Sequence, residues 1–237
     1  MNNTKQKKLF IHIPKCGGMT IRHSDYLRGR IILGSRENHI SKQYSSNVLK
    51  TMNQSGDHHG FEHARWRDIA VGVRAKYQAF AICRNPWDRV VSRYFFAKKV
   101  IEVEKKESPS YADVSSFEAF LEERHKWGNQ KYYWHRAVRG WFPTWDHVSD
   151  TAGQNLACDM LRLEHLNQDV CAYFKIKEMS RPRNVTGLNK LTYMDMYTPQ
   201  TLQIVADWYK KDIDFWGFDF DTGATRNYWA ADKKDIN

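Results

Sequence analysis

"LFIHIPKCGGMTIR", residues Leu9 to Arg22, decides how this chain folds. It runs from a hydrophobic, strand-like stretch through Pro14 and two glycines into a polar segment with the character of a helix start. Glycine at such a strand-to-helix turn lets the backbone approach a ligand closely, and the first amides of the helix then face that ligand. An anion fits there. Lys15 adds a mobile positive charge and Thr20 a hydroxyl donor, so a phosphate or a sulfate can be held. The plainer alternative is an ordinary connection in which Gly17 and Gly18 only relieve steric strain. A nucleoside-triphosphate loop has the form G-x-x-x-x-G-K-[ST], with its lysine after the glycines and its hydroxyl on magnesium. Here the lysine comes first.

The pattern recurs further along. "YQAFAIC" is a second strand-like run that, like "KLFIHI", ends in a turn signal before a helix-like segment, and this alternation predicts an α/β fold with a parallel sheet. In "CRNPWDRVVSRYFF", Cys83 to Phe96, Asn85 caps a helix with Pro86 at its first position and Asp88 in its first turn. That helix is expected to run to about Glu104. Arg84 leaves the strand and Ser92 lies about two helical turns downstream, so a planar guanidinium fork and a hydroxyl can meet one phosphate. Two separate anion sites suit a doubly phosphorylated nucleotide. The competing reading pairs Arg84 with Asp88 and leaves Ser92 as an ordinary helix residue.

Length and charge set the outer limits. The 237 residues are read as one domain over 1–237, with disorder expected only at the extreme ends. A net charge of +10 attracts nucleic acid, anionic glycans, acidic lipids and phosphorylated cofactors alike, so charge alone does not choose among them. No run of about 18 apolar residues exists, and "MNNTKQKK" leads straight into the first strand, so a soluble, cytoplasmic protein without a membrane span is expected. Cys16, Cys83, Cys158 and Cys171 are scattered, without a CxxC pair or metal-type spacing to His, and read as free thiols. Sequons at Asn53 and Asn184 matter only in a secreted chain.

Other segments are read more coarsely. Residues Gly34 to Gly60 are polar and predict surface loop or short helix, and "ARWRDIAVGVRAKY" places Trp66, Ile69 and Val73 on one helical face. "SSFEAFLEE" reads as a helix, Trp127 to Gln154 as aromatic and irregular, and "DMLRLEHLNQDVCAYF" as a short buried strand entering a helix. Thr198 caps a last helix with Pro199 at its start and Leu202, Val205 and Tyr209 as its apolar stripe.

With these motifs in order, the chain resembles the sulfotransferases that use 3′-phosphoadenosine 5′-phosphosulfate (PAPS), in particular the carbohydrate branch that includes heparan sulfate 2-O-sulfotransferase and the chondroitin sulfotransferases. "HIPKCGGMTI" resembles that family's 5′-phosphosulfate loop, with Lys15, Cys16, Gly17, Gly18, Met19 and Thr20 as its binding residues. Met19 stands where the family has Thr or Ser, which removes one hydroxyl contact, so that either donor affinity is reduced or the amides and Thr20 carry the anion. "CRNPWDRVVSRYFF" resembles the 3′-phosphate motif, with Arg84 and Ser92 at matching positions. "RLEHLNQDVCAYF" is similar to the family's R-x-E-x-L strand and helix, and "YTPQTLQIVADWYKKDIDFWGF" to its closing helix.

The resemblance implies a P-loop-like three-layer α/β fold, with a central, mainly parallel sheet flanked by helices. It also implies PAPS as sulfate donor, 3′-phosphoadenosine 5′-phosphate (PAP) as product, no metal, no specific nucleic acid, and a hydroxyl acceptor of carbohydrate or glycan type. Charge grows in that reaction on the oxygen bridging sulfur to the 5′-phosphate, and Lys15 is placed to meet it. A base is needed for the acceptor hydroxyl, and histidine suits that task near neutral pH. Among His58, His59 and His63 in "DHHGFEHARWRDI", similarity of "EHAR" selects His63, with Glu62 as an alternative. Arg183 and Lys190 in "SRPRNVTGLNKLTY" are contacts to the 3′-phosphate or adenine side, or else solvated charges. Trp127, Tyr132, Tyr133, Trp134, Trp141 and Trp145 are a sugar-stacking platform or core. The rivals are a small-molecule kinase, which needs a magnesium carboxylate, and a noncatalytic nucleotide-binding or nucleic-acid-binding protein.

Overall fold

Four short strands make one sheet. They are β1 (Lys8–Phe10), β2 (Ile31–Leu33), β3 (Ala79–Cys83) and β4 (Asp159–Arg162), in the order β2-β1-β3-β4, and every neighbouring pair is parallel. The computed structural model describes residues 7–55, 61–103, 112–130, 140–179 and 192–225. Parallel strands are joined by crossovers that cover the sheet, so a central strand becomes apolar along its whole length. β3 meets that condition, buried at every position from Ala79 to Cys83. Leu9 pairs with Ala79 and Phe10 with Phe80, and Ile11 N donates to Phe80 O at 2.9 Å just beyond β1.

The strand order positions the site. From β1 the chain crosses to β2 on one side and then returns to β3 on the other. Such a reversal opens a crevice beyond the carboxyl ends of the two strands, where open α/β sheets bind ligands. The segments that leave β1 and β3 there are the glycine turn and the Arg84 segment.

Helices surround the sheet: α1 (Gly18–Arg22), α2 (Lys42–Ser55), α3 (Val71–Lys76), α4 (Pro86–Lys98), α5 (Phe117–Trp127), α6 (Thr144–Val148), α7 (Leu166–Phe174), α8 (Pro199–Trp208) and α9 (Lys210–Trp216). The expected caps are present. The Asn85 side chain accepts from Trp87 N at 3.0 Å and Asp88 N at 3.4 Å, and α4 passes into a π-helical turn over Lys99–Val103, close to its expected end. Thr198 Oγ1 accepts from Thr201 N at 3.2 Å, and Val205 and Tyr209 are buried beneath α8.

One expectation is met only in part and another fails. The polar segment from Gly34 contains the 14-residue α2, whose buried Tyr44 and Val48 lie one turn apart on the same face. Trp66, Ile69 and Val73 do not share a helix: a 3-10 turn over Trp66–Asp68 ends where Ile69 extends to bridge Ile40, and α3 begins only at Val71. The cause is local, since the Asp68 carboxylate accepts from Arg65 N at 3.2 Å and Arg65 Nε at 2.6 Å and closes the turn on itself.

Within the aromatic stretch from Trp127, α6 is capped from far away. The buried Asp212 carboxylate of α9 accepts from Thr144 N at 2.6 Å and Trp145 N at 2.9 Å. Trp127, Trp141 and Trp145 are core residues, whereas Tyr132, Tyr133 and Trp134 lie outside the described residues. No helix among the described residues is long and apolar enough to cross a membrane.

Candidate functional site

The turn after β1 is shaped by its neighbours. Lys15 and Gly17 adopt left-handed backbone, at φ 63° and 73°. For a lysine that conformation is strained, and it persists only where the surroundings hold it. Two arginines do so: Arg84 Nη1 donates to Lys15 O at 2.8 Å, and Arg89 Nε donates to Pro14 O at 3.1 Å. A Cβ on Gly17 would stand 2.7 Å from Leu163 Cδ1, and one on Gly18 only 2.0 Å from the His12 ring. The close approach at Gly18 is therefore to His12. The amides of Gly17, Gly18 and Met19 reach no backbone carbonyl among the described residues, as expected for the first turn of α1.

A cluster of cations lies behind this turn. Lys15 Nζ sits 4.4 Å from the centre of the Phe96 ring on α4. Burial above all, then the neighbouring Arg84, lowers its ammonium to about 8, with Arg93 and Lys99 adding to the effect and Cys16 opposing it. Arg84 forks onto Asp88 through Nε at 2.8 Å and Nη2 at 2.7 Å, so the salt-bridge reading is realised. A guanidinium carries five N–H donors, and with three engaged by Asp88 and Lys15 O, two are left for another acceptor. Ser92 is buried on the same helix, and the Cys16 thiol, pushed by burial to about 11, stays protonated beneath the turn.

Arg89 and Arg93 were not among the expected residues, although their i,i+4 spacing on α4 already placed them on one face. Both are fully buried. Arg89 Nη1 donates to Phe142 O at 3.1 Å, while its Nη2 has no hydrogen-bond partner. Arg93 Nη1 donates to Tyr209 Oη at 3.2 Å and its guanidinium stacks over Trp141 at 4.1 Å. Burial lowers Arg93 to about 10.

Two histidines pack together beside Gly18. His63 is buried, with Nδ1 2.8 Å from His12 O. A carbonyl only accepts, so Nδ1 carries the hydrogen and Nε2 keeps the lone pair, the form a general base requires. Burial lowers His63 to about 4 against the raising influence of Glu62, so the ring is neutral at pH 7. His12 is likewise lowered, by burial first and then by His63, whose ring centre lies 4.5 Å away. His12 Nδ1 has no hydrogen-bond partner and stands 3.9 Å from Glu62 Oε1, a carboxylate that pairs with Arg22. His12 also escaped the sequence reading; its signal was a lone polar ring inside a buried apolar run.

The R-x-E-x-L segment is support. Arg162 pairs with buried Asp169 at 2.8 Å, Leu163 and Leu166 back Gly17, and Glu164 accepts from Asn85 N at 2.6 Å. The structure thus gathers Lys15, Cys16, Gly17, Gly18, Met19, Thr20 and Arg84 around one turn and joins His63 to it through His12, while Arg183, Lys190, His58 and His59 lie outside the described residues.

No curated protein and no solved structure matches the chain. A family model described as Sulfotransferase family matches residues 1–219, a span that holds the turn after β1, the arginines after β3 and the histidine pair, and the chain belongs to that family.

Proposed function

We propose that this sulfotransferase moves a sulfuryl group from PAPS to a hydroxyl of a carbohydrate or glycan and releases PAP. The observation that carries the reading is Lys15, a half-buried lysine whose strongest charged neighbours include Arg84, Arg93 and Lys99, at the crevice between β1 and β3. These donors suit a polyanionic nucleotide: an ammonium, two spare Arg84 hydrogens and the first-turn amides of α1. When bound, PAPS supplies an activated sulfuryl group and a phosphate leaving group.

This chain's residues then have distinct tasks. Lys15 stabilises charge on the departing bridging oxygen, and the turn from Cys16 to Thr20 receives the 5′ end through its amides and the Thr20 hydroxyl. Arg84 and Ser92 hold the 3′-phosphate, with Arg183 and Lys190 as further contacts. His63 Nε2 takes the acceptor proton as the oxygen–sulfur bond forms and the sulfur–bridging oxygen bond breaks, and His12 O fixes the tautomer that permits it. We place the reaction in the cytoplasm, a setting supported by the free thiols of all four cysteines.

The test is a transfer assay with sulfur-labelled PAPS and a panel of glycans, lipids and small alcohols, comparing wild type with Lys15→Ala and His63→Ala. Each variant should lose turnover by roughly 100-fold or more. Unchanged turnover in both overturns the roles, and tighter binding of ATP than of PAP favours a kinase instead.

A further inference from the structure

His12 lies two residues beyond β1 and is only 8% exposed, its ring stacked 5.7 Å from Phe10 and 4.5 Å from His63 between centres. Its two edges meet different groups. The Cδ2–Nε2 edge covers Gly18, where a Cβ would stand 2.0 Å from both atoms. Nδ1, across the ring from that edge, has no hydrogen-bond partner and stands 3.9 Å from Glu62 Oε1. The imidazole therefore sits between a carboxylate and the turn proposed above to receive the 5′ end of the nucleotide.

A neutral imidazole has one N–H and one bare lone pair. With the hydrogen on Nε2, the Nδ1 lone pair faces Glu62; with it on Nδ1, a lone pair faces the turn. Either tautomer sets acceptor against acceptor once an oxyanion is in place. Only the imidazolium offers an N–H in both directions. Burial above all, then His63, Arg22 and Lys15, opposes that charged form, and His147 of α6 is a further ring whose charge it would meet. Glu62 favours it. An anion on the turn adds to Glu62, since a unit negative charge about 5 Å away favours a charged ring by about 100-fold or more at an effective dielectric near 20.

We propose that His12 makes nucleotide binding proton-linked: as an oxyanion enters the turn, His12 takes a proton from solvent and then donates through Nδ1 to Glu62 and through Nε2 toward the oxyanion. Glu62 is the positioning residue, itself held by Arg22. The inference rests on the nucleotide reading proposed above, and its test does not require turnover.

Calorimetric titration of the full chain with PAP at pH 6.5, in two buffers of different ionisation enthalpy, counts the protons taken up. Lys15, at about 8, is already charged there, and protons exchanged by the phosphates of PAP are common to every variant and cancel in the difference. Wild type should take up between about half a proton and one proton more than His12→Gln. By linkage, its affinity for PAP relative to that variant should rise by up to about tenfold per pH unit as pH falls from about 7.5 toward 6. Glu62→Gln, at a partly exposed side chain, should lose most of the same increment, which keeps the test open if His12→Gln does not fold. His63→Asn should keep the increment. Equal uptake by wild type, His12→Gln and Glu62→Gln overturns the proposal, and loss of the increment in His63→Asn with His12→Gln unchanged assigns the proton to His63 and overturns it as well. Absence of PAP binding to wild type defeats the nucleotide reading and this inference with it, whereas PAP binding without the increment defeats this inference alone.

Discussion

A Cβ on Gly18 would fall 2.0 Å from Cδ2 and Nε2 of His12, so alanine there must displace the ring whose own backbone carbonyl receives the His63 N–H. Overpacking of this kind costs about 1–3 kcal/mol. Gly18→Ala should therefore lower the urea midpoint and transfer activity together, whereas Gly18→Ala/His12→Ala should be less destabilised than the sum of the single variants. Additive effects in that double-mutant cycle would show that the two positions do not meet. Lys15 gives a prediction in pH. Its ammonium is held at about 8, so as pH rises through that region the turn loses the charge that attracts an anion. Affinity for PAP should fall above about pH 8 in wild type, with the bend shifted upward by the bound anion, and Lys15→Ala should lack that bend. Stability of the unliganded chain moves the other way. The unfolded lysine titrates near 10.5, so between 8 and 10.5 the unfolded state holds more protons and stability rises with pH.

Helix α4 joins the two halves of the site, because Arg84 before its first turn and Arg89 within it hold the carbonyls of Lys15 and Pro14. Its start depends on Asn85, whose oxygen caps the helix and whose amide donates to Asp219 O at 2.9 Å and Thr222 O at 2.8 Å. Asn85→Ala should cost about 1–2 kcal/mol for the cap and more for the stranded carbonyls, read by chemical denaturation. Asn85→Asp should do no better, although Asp is a favoured cap, because its carboxylate would face those carbonyls and the Glu164 side chain. This helix was legible because everything that starts it sits within four residues, Asn85 to Asp88. The strands β1 and β3 and the glycine turn were legible for the same local reason. The three-residue β2 was missed, since it becomes a strand only through pairing with β1. Likewise α6 takes its cap from Asp212, more than 60 residues away, and no local pattern announces it. At the site, residue types were readable but directions were not. The sequence allowed Arg84 to serve a phosphate or Asp88, and side-chain packing engaged it with Asp88 while sparing two donors.

Several ionisable groups are buried among the described residues, and their balance sets the response to acid. His12, His63 and His147 are buried and held below the ordinary histidine value of 6.5, His63 at about 4, each chiefly by burial. Below pH 6.5 the unfolded chain takes up protons that the folded chain refuses, so stability falls as pH drops from 6.5 toward 4. Buried Asp212 acts in the opposite sense. Burial raises it to about 6, so its contribution is present below 3.8 and lost as pH climbs through 6. Asp146 and Glu164 are also raised by burial, whereas hydrogen bonds lower the exposed Asp113, Glu122 and Asp150, so the carboxylate shifts run both ways. The three histidines share one sign and leave acid the destabilising direction, and a net charge of +10 adds self-repulsion as further carboxylates are neutralised. Urea denaturation followed by tryptophan fluorescence should therefore give a lower midpoint at pH 5 than at pH 7.5, with an unchanged slope. His63→Asn, which removes one of the three titrations and keeps an amide that can donate to His12 O, should narrow the gap between the two midpoints. A midpoint that rises on acidification would mean that the histidines are charged in the fold, and Nε2 of His63 would then have no lone pair with which to take a proton.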